Sequence, residues 1–245
     1  MAESPQSKPS PIRQTTPEAI RLAKTLVRAA QFGTIAVIDP RDGRPYASRV
    51  SLATDPVGMP LTLISNLSFH TKCLQADPRC SLLVGEPGKG DALAHPRISL
   101  ACNATFVEKG HAADMRAADR FLRKNPKARL YAGFADFNFV KLAIQSASLN
   151  GGFGQAFELS GTDLTSPAID DAMFDESQVI AELIGEHYMQ VRNFLENSIG
   201  RVTPRFNISS IDSEGIDFDC GVKKYRVWFS NKIATKSDLY SHMLK

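Results

Sequence analysis

Between Thr34 and Ser65 the chain alternates apolar and polar residues, and turn residues interrupt it at short intervals. TIAVID is followed by PRDGRP, YASRVSLAT by DPVGMP, and then comes LTLIS. Alternation of period two buries one face of a strand, and Asp42-Gly43 and Gly58 suit tight turns. The spacing predicts three antiparallel strands in a meander. Further strands are expected in CSLLVGE, RISLACNATFVE, FVKLAIQSASL and GQAFELS. A short helix is expected over Ser68 to Ala76, and PGKGDALAHP reads as a long loop. A second helix, Ala112 to Lys124, places Met115, Ala118, Phe121 and Leu122 on one face and stops at Asn125-Pro126. At least six strands with so few helices predict a small β-barrel decorated by helices, not a βαβ sheet.

Ahead of the strands, Thr16-Pro17-Glu18 reads as a helix start with a hydroxyl cap, proline at the first position and an acid in the first turn. Ala19, Ile20, Ala23, Leu26, Val27 and Ala30 recur at helical spacing, and Gly33 ends the run. After the barrel, Val179, Ile180, Leu183, Ile184, His187, Val191, Phe194 and Leu195 predict one amphipathic helix. A hairpin, GIDFDC-GVKK-YRVWF, and a last helix from Thr235 carrying Leu239, Tyr240 and Leu244 complete the chain. The expected organisation is a disordered polar tail at 1–15, the barrel at 16–162, a linker at 163–175 and a small α+β domain at 176–245.

With 43% hydrophobic residues in 245, the chain can bury a core, which excludes a disordered or fibrous protein. A net charge of +3 gives no electrostatic case for nucleic acid or a membrane surface. The first fifteen residues contain no apolar stretch of the kind a secretory signal needs, and no run approaches the about 20 residues that span a bilayer. A cytoplasmic protein is expected. Cys73, Cys80, Cys102 and Cys220 lie far apart without metal-ligand spacing, as reduced core thiols do. No metal site is expected from any residue spacing.

GxGxxG, GxxxxGK[ST], GxSxG, HExxH and EF-hand patterns are all missing, which removes nucleotide folds and common hydrolases. Gly151-Gly152-Phe153-Gly154 reads either as a turn or bulge or as a close approach of backbone to a ligand. A distributed polar cluster remains: Arg49 and Ser51 on the second strand, Ser65 ending the third, and Ser68, His70, Thr71 and Lys72 entering the short helix. Cations, hydroxyls and helix N–H groups together suit a phosphate dianion, although solvated loop ends have the same composition. Phe134, Phe137 and Phe139 suit either an aromatic core or the wall of a flat slot, and Trp228 suits a core or domain contact. His187 reads as a half-buried interface residue, and His95 and His111 as surface residues.

The segment RPYASRVSLATDPVGMPLTLISNLSFHTKCLQADPRCSLLV resembles the signature region of the FMN-binding split barrels related to pyridoxamine 5'-phosphate oxidase. The likeness is strongest to the subgroup with HugZ-type haem-degrading proteins. It extends through PRISLACNATFV and LYAGFADFNFVKLAIQSASLNGGFGQAFELSG to Gly161, and EHYMQVRNFLENSIG with SIDSEGIDFDCGVKKYRVWFS resembles that subgroup's small C-terminal domain. The resemblance implies an antiparallel split β-barrel of the FMN-binding type with flanking helices, and a homodimer holding one flavin at each end of its interface. It places Arg49 at the phosphate or flavin edge, Ser65 as the hydroxyl ending a strand, and the backbone of Val50, Ser51 and Leu52 against the pyrimidine edge. At the helix start, His70 and Thr71 stand where pyridoxamine phosphate oxidases have an Arg-Lys pair, followed by Lys72. The Arg-rich C-terminal motif of those oxidases is missing, so vitamin B6 oxidation is not implied. The implied function is an FMN-dependent oxidoreductase, with substrate and electron donor left open. Two alternatives stand beside it: a haem-binding, haem-degrading protein, for which His242 is the one histidine close to the C-terminus, and a non-catalytic regulatory dimer docking through its C-terminal domain.

Overall fold

In a computed structural model of the chain, the described residues are 12–152, 154–169, 174–200, 205–221 and 223–243. Most of the polar tail, four linker residues, Phe153, Val222 and Leu244 lie outside them. Helix α1 (Pro17–Ala29) starts as expected, with the Thr16 hydroxyl accepting from the Ala19 N–H. Gly33 does not end that helix, which closes at Ala30; it lies inside strand β2 (Phe32–Ile38). A Cβ at Gly33 would stand 2.9 Å from the Leu83 carbonyl oxygen, so close strand packing is what requires glycine there.

The meander is only half right. Strand β3 (Pro45–Ser51) pairs with β2, but the expected second strand breaks at Leu52, whose N–H turns to the Gln31 carbonyl. The remainder, β4 (Ala53–Thr54), pairs with β5 (Pro60–Ser65), and β5 crosses to pair with β8 (Phe137–Asn150) rather than with β3. Helix α2 (Phe69–Ala76), β6 (Arg79–Val84), β7 (Arg97–Phe106) and α3 (Ala112–Lys124) lie between β5 and β8. The pairings β2–β6, β6–β7 and β7–β8 then close the circuit β2, β3/β4, β5, β8, β7, β6 and back to β2. A strand that changes neighbours halfway along is what bends a sheet into a barrel. The result is an α+β molecule around an antiparallel barrel, with seven α-helices among the described residues.

Strand β8 serves two partners on one edge: β5 along its first half and β9 (Ala156–Ser160) along its second. Its inward residues change parity midway, from Val140, Leu142 and Ile144 to Ala147 and Leu149. The register against β7 jumps there, leaving Gln145 as the extra residue of a bulge. Ile12 and Arg13, read from the sequence as part of a disordered tail, instead form β1 and pair in parallel with β9.

The face that α3 presents differs from the expected one. Ala117, Arg120, Phe121 and Lys124 are buried, whereas Met115 is exposed. Beneath α3, Phe121 meets Phe139 edge-on at 5.6 Å, over Leu61, Leu63 and Ala53 on the outside of the barrel. Thus β5 is covered on both faces, which explains why Pro60 to Ile64 are all buried.

One turn of helix, α4 (Gly161–Leu164), follows β9 and opens on a capping box between Ser160 and Asp163. The single long helix expected downstream is two, α5 (Glu176–Gly185) and α6 (Tyr188–Ile199), separated at Glu186 and His187 just after the helix-weakening Gly185. The expected hairpin is present as β11 (Gly215–Cys220) and β12 (Lys223–Trp228), and β10 (Asn207–Asp212) adds a third, unforeseen strand beside β11. Helix α7 (Lys236–Met243) buries Leu239 and Met243 against this sheet's core. All four cysteines are free and buried, as expected, and burial pushes the Cys80 thiol up to about 11.

The barrel and the C-terminal sheet meet through charge. Arg28 of α1 and Asp212 of β10 lie 2.7 Å apart with 1% and 0% of their side chains exposed. Arg226 holds the other Asp212 oxygen at 2.8 Å and also pairs with Asp217. Burial drives the Asp212 carboxyl upward, but Arg28 and Arg226 outweigh it and hold it below the usual range. Around this centre, Lys24 binds Glu214 at 2.7 Å, Ser166 accepts from Arg28 and donates to Glu214, and Arg120 and Arg123 share Glu176. The Lys124 ammonium caps the Arg28 carbonyl, and burial brings its pKa down to about 8. Gly58 belongs to the same packing: its φ is +100°, and a Cβ would meet the Arg28 guanidinium at 2.8 Å.

Removing one partner of a buried ion set strands the others. We expect Asp212→Ala to lower stability by about 3–5 kcal/mol in urea unfolding. Arg28→Met combined with Asp212→Leu should cost less than the sum of the two single changes. Additive losses would mean that the pair is not coupled.

Candidate functional site

The β2–β3 register decides which of the sequence-selected residues face solvent. Gly33, Ile35 and Val37 point into the barrel, and their partners Val50, Ser48 and Tyr46 lie on the same face of the sheet, Val50 buried and Tyr46 exposed. Val50 and Leu52 are therefore core residues, and the Leu52 N–H and carbonyl are already used by Gln31 and Asn125. Arg49 and Ser51 face outward, and the Arg49 guanidinium lies 5.3 Å above the Phe32 ring. Thr34 pairs with both Arg49 and Leu83, so Leu83, Thr34 and Arg49 form one row across the outside of β6, β2 and β3. Phe32 and Leu83, 38% and 43% exposed, make this row apolar beside the cation.

Helix α2 is tied to the barrel by its first turn. Ser48, facing inward, meets the His70 Nδ1 at 3.1 Å. The opposite nitrogen, Nε2, is buried without a hydrogen-bond partner. Burial lowers the His70 pKa, so the ring is neutral at physiological pH. Phe69 packs edge-on against Tyr46 at 5.0 Å, with the Arg41 guanidinium 4.7 Å over its ring. Lys72 is exposed on the same helix, with no ion-pair partner among the described residues.

The hydroxyls of the cluster are largely engaged within the protein. Thr71 is wholly buried and donates to the Ser65 carbonyl at 2.7 Å. Ser65 donates to the Asp136 carboxylate at 2.5 Å and accepts from the Leu67 N–H. Ser68 caps α2 without a side-chain bond to it. The geometry brings Arg49 and Ser51 together on the outer face and Ser65, Thr71 and Asp136 together at the end of β5. It does not place Ser65 on a strand beside Arg49, because β5 pairs with β8. Asp136 was missed because it lies 71 residues from its partner Ser65. Ser48 was missed although the alternation of β3 points it inward, opposite Ile35.

The three phenylalanines stay on one side of the barrel: Phe134 meets Phe137 edge-on at 6.3 Å, and Phe137 packs against the cluster that holds Phe139. Phe139 is buried under α3, Phe137 contacts Tyr131 at 4.8 Å, and Phe134 is mostly exposed. His242 stacks on Phe229 at 5.2 Å in the C-terminal unit, and the Ser230 hydroxyl lies 3.5 Å from its Nδ1. Trp228 contacts the barrel half: its indole N–H donates to Thr25, and Arg21 and Arg226 lie over its ring. Among the described residues no group of three or more His, Cys, Asp or Glu side chains is placed to hold a metal, and no helix is long and apolar enough to cross a membrane.

This is the architecture of a split-barrel protein, with the polar residues divided between the outer sheet face and the end of β5. Residues 14–165 match the CREG β-barrel family model, and the chain belongs to that family. It is 26% identical over 226 residues, 88% of this chain and 68% of the other, to the chloroplastic non-canonical haem oxygenase HOZ of Arabidopsis thaliana. Among solved structures, a protein of unknown function from Agrobacterium tumefaciens superposes with a TM-score of 0.81 at 24% identity, covering 96% of this chain and 99% of that one. A haem-binding protein from Mycobacterium smegmatis gives 0.56 at 24% identity, covering 94% and 96%. These two likenesses are of fold.

The buried, neutral His70 has a thermodynamic signature. The unfolded chain takes up a proton near the usual histidine pKa of about 6.5, while the folded ring resists it. The stability that His70 contributes is present above that value and is lost as pH falls through the lower folded-state pKa. We expect the urea midpoint of the wild type to fall between about pH 7 and pH 5. In His70→Gln that fall should be shallower, and an equal slope in both proteins would show that His70 is not the titrating group.

Proposed function

We propose that the protein binds haem on the outer face of β2, β3 and β6, with Arg49 and Lys72 holding the propionates and Phe32 and Leu83 receiving the macrocycle. The observation that carries this reading is the state of the polar cluster. A phosphate needs uncommitted hydroxyls, yet Ser65 is turned to Asp136 and Thr71 to a carbonyl. What stays open is an exposed apolar row beside the Arg49 guanidinium, which suits a flat apolar ligand bearing carboxylates. The haem-related names of the Arabidopsis and Mycobacterium relatives support the same reading. Haem, when bound, supplies the oxygen chemistry; this chain positions the macrocycle and tunes its polarity.

For the iron, His242 is the histidine left to test. His111 lies 3.3 Å from Glu108, His95 contacts the Lys89 carbonyl, His187 packs on Tyr240, and the His70 Nε2 is enclosed. FMN is the second reading, and Ser68 favours it: its side chain makes no cap bond, so with Ser51, Arg49 and Lys72 it offers hydroxyls and cations to a phosphate. In either case we take the working form to be a homodimer. The bare outer face of β6 to β9 is lined by Ser81, Ser99, Ala101, Ser146 and Ser148, small residues that permit close sheet-to-sheet approach. We place the protein in the cytoplasm, in keeping with its free thiols.

Titration with haem and, separately, with FMN decides between the two ligands. We expect saturable haem binding, weakened about tenfold or more in Arg49→Ala/Lys72→Ala. His242→Ala should shift the Soret band if it ligates iron. FMN bound more tightly than haem, or haem affinity unchanged in the double variant, would overturn the proposed site.

A further inference from the structure

The end of the barrel where β5 stops carries the two most exposed large apolar side chains among the described residues, Leu130 at 80% and Leu67 at 79%, together with Phe134 at 58%. Leu130 ends a short 3-10 helix, Pro126–Leu130, that follows α3. Phe134 lies in the turns ahead of β8, and Leu67 in the turn between β5 and α2. Hydrogen bonds tie these segments together. The Asn66 N–H donates to the Asp136 carbonyl at 2.8 Å, and the Phe134 N–H donates to the Tyr131 carbonyl at 3.0 Å. Phe137 braces the loop, meeting Tyr131 at 4.8 Å and Phe134 at 6.3 Å. Ala128 is buried in the Phe121 cluster, so the loop is anchored while its apolar tips stay in water. Large apolar groups left exposed at one place forgo the free energy of burial, and such patches mark interaction surfaces.

Cations accompany the patch. Side chains three apart eclipse in a 3-10 helix, so Lys127 and Leu130 share one edge of it, with Arg129 next to Leu130 in the chain. Both cations are exposed and have no ion-pair partner among the described residues. Lys109 reaches from the connection between β7 and α3 to the Ala135 carbonyl at 2.7 Å, beside Phe134. The neighbouring carboxylates are engaged: Asp136 receives the Ser65 hydroxyl, and Glu108 faces His111 at 3.3 Å. A net charge of +3 gives the whole chain no general pull toward anions, so attraction here is local to this loop.

We propose that this end of the barrel docks on an anionic phospholipid surface, with Leu67, Leu130 and Phe134 entering the headgroup region and Lys109, Lys127 and Arg129 meeting the phosphates. Side chains that stand so far clear of the surface are knobs, for which a rigid protein partner would need matching holes, whereas a bilayer deforms around them. Cations beside an anionic leaflet add their own attraction to the apolar contact. None of these six residues belongs to the face proposed for haem, and the inference stands without that reading.

Co-sedimentation of the full-length protein with lipid vesicles tests this. At about 0.05 M salt, vesicles of phosphatidylcholine with about 30% phosphatidylglycerol should bind at least about tenfold more tightly than phosphatidylcholine alone, and added salt should shrink the difference. Leu130→Ser/Phe134→Ser, both changes at exposed positions, should weaken binding to the anionic vesicles about tenfold or more while the far-ultraviolet circular dichroism stays native. Lys127→Ala/Arg129→Ala should erase most of the preference for anionic lipid. Phe134→Trp supplies a readout that loss of fold does not imitate: its emission should move to the blue on anionic vesicles, beyond any change shown by Trp228 in the wild type. No binding to anionic vesicles, equal binding to both lipids, or undiminished binding by the folded serine variant would each overturn the proposal. So would self-association of the wild type in sedimentation velocity that the serine variant abolishes, since the patch would then be an interface between copies of the chain.

Discussion

Asp212 is the point on which the arrangement of the molecule turns. It has no access to solvent, and two arginines reach it from different parts of the chain: Arg28 from the first helix and Arg226 from the last strand. A carboxylate in such a place is tolerable only if opposite charge stands against it, and the two guanidinium groups supply that charge. Because one arginine belongs to the barrel and the other to the C-terminal sheet, the charge requirement is also a docking requirement. Lys24 with Glu214 and Arg120 with Glu176 extend the same contact along the seam. An apolar seam accepts many registers, whereas an ionic one accepts few.

That seam was the part least visible in the sequence. Helical periodicity selects apolar positions, so Ala19, Ala23 and Val27 were recognised on α1, while Lys24 and Arg28 on the same buried face were not. The same rule misses Arg120 and Lys124 on α3, where periodicity selects the exposed Met115 instead. A buried cation has no signature of its own; its partner lies far along the chain, as Asp212 does from Arg28. Short-range signals did better. The turn glycines, the cap at Thr16 and the alternation of β2, β6 and β7 gave the strands and the barrel class, because these depend on neighbours in sequence.

The candidate site shows both behaviours. Arg49 and Ser51 were correctly placed on a strand, and its register turns them outward. Their supposed neighbour Ser65 was misplaced because the second strand breaks at Leu52 and hands its partner to β8, a long-range choice that no local pattern announces. Asp136 then changes the chemistry at Ser65 from a donor waiting for an anion to one already serving a carboxylate. One distant acid thus takes the Ser65 hydroxyl out of any phosphate site.

The bulge at Gln145 also bears on how this family can change. Strand β8 is counted twice, once against β5 and once against β9, and the extra residue keeps both counts in phase with the apolar interior. Length changes within this strand are therefore not independent events. A residue gained or lost on one side of the bulge must be matched on the other, or half of the barrel lining turns to water. Variation in chain length belongs instead in the 85–96 and 107–111 connections, where no strand register depends on the count.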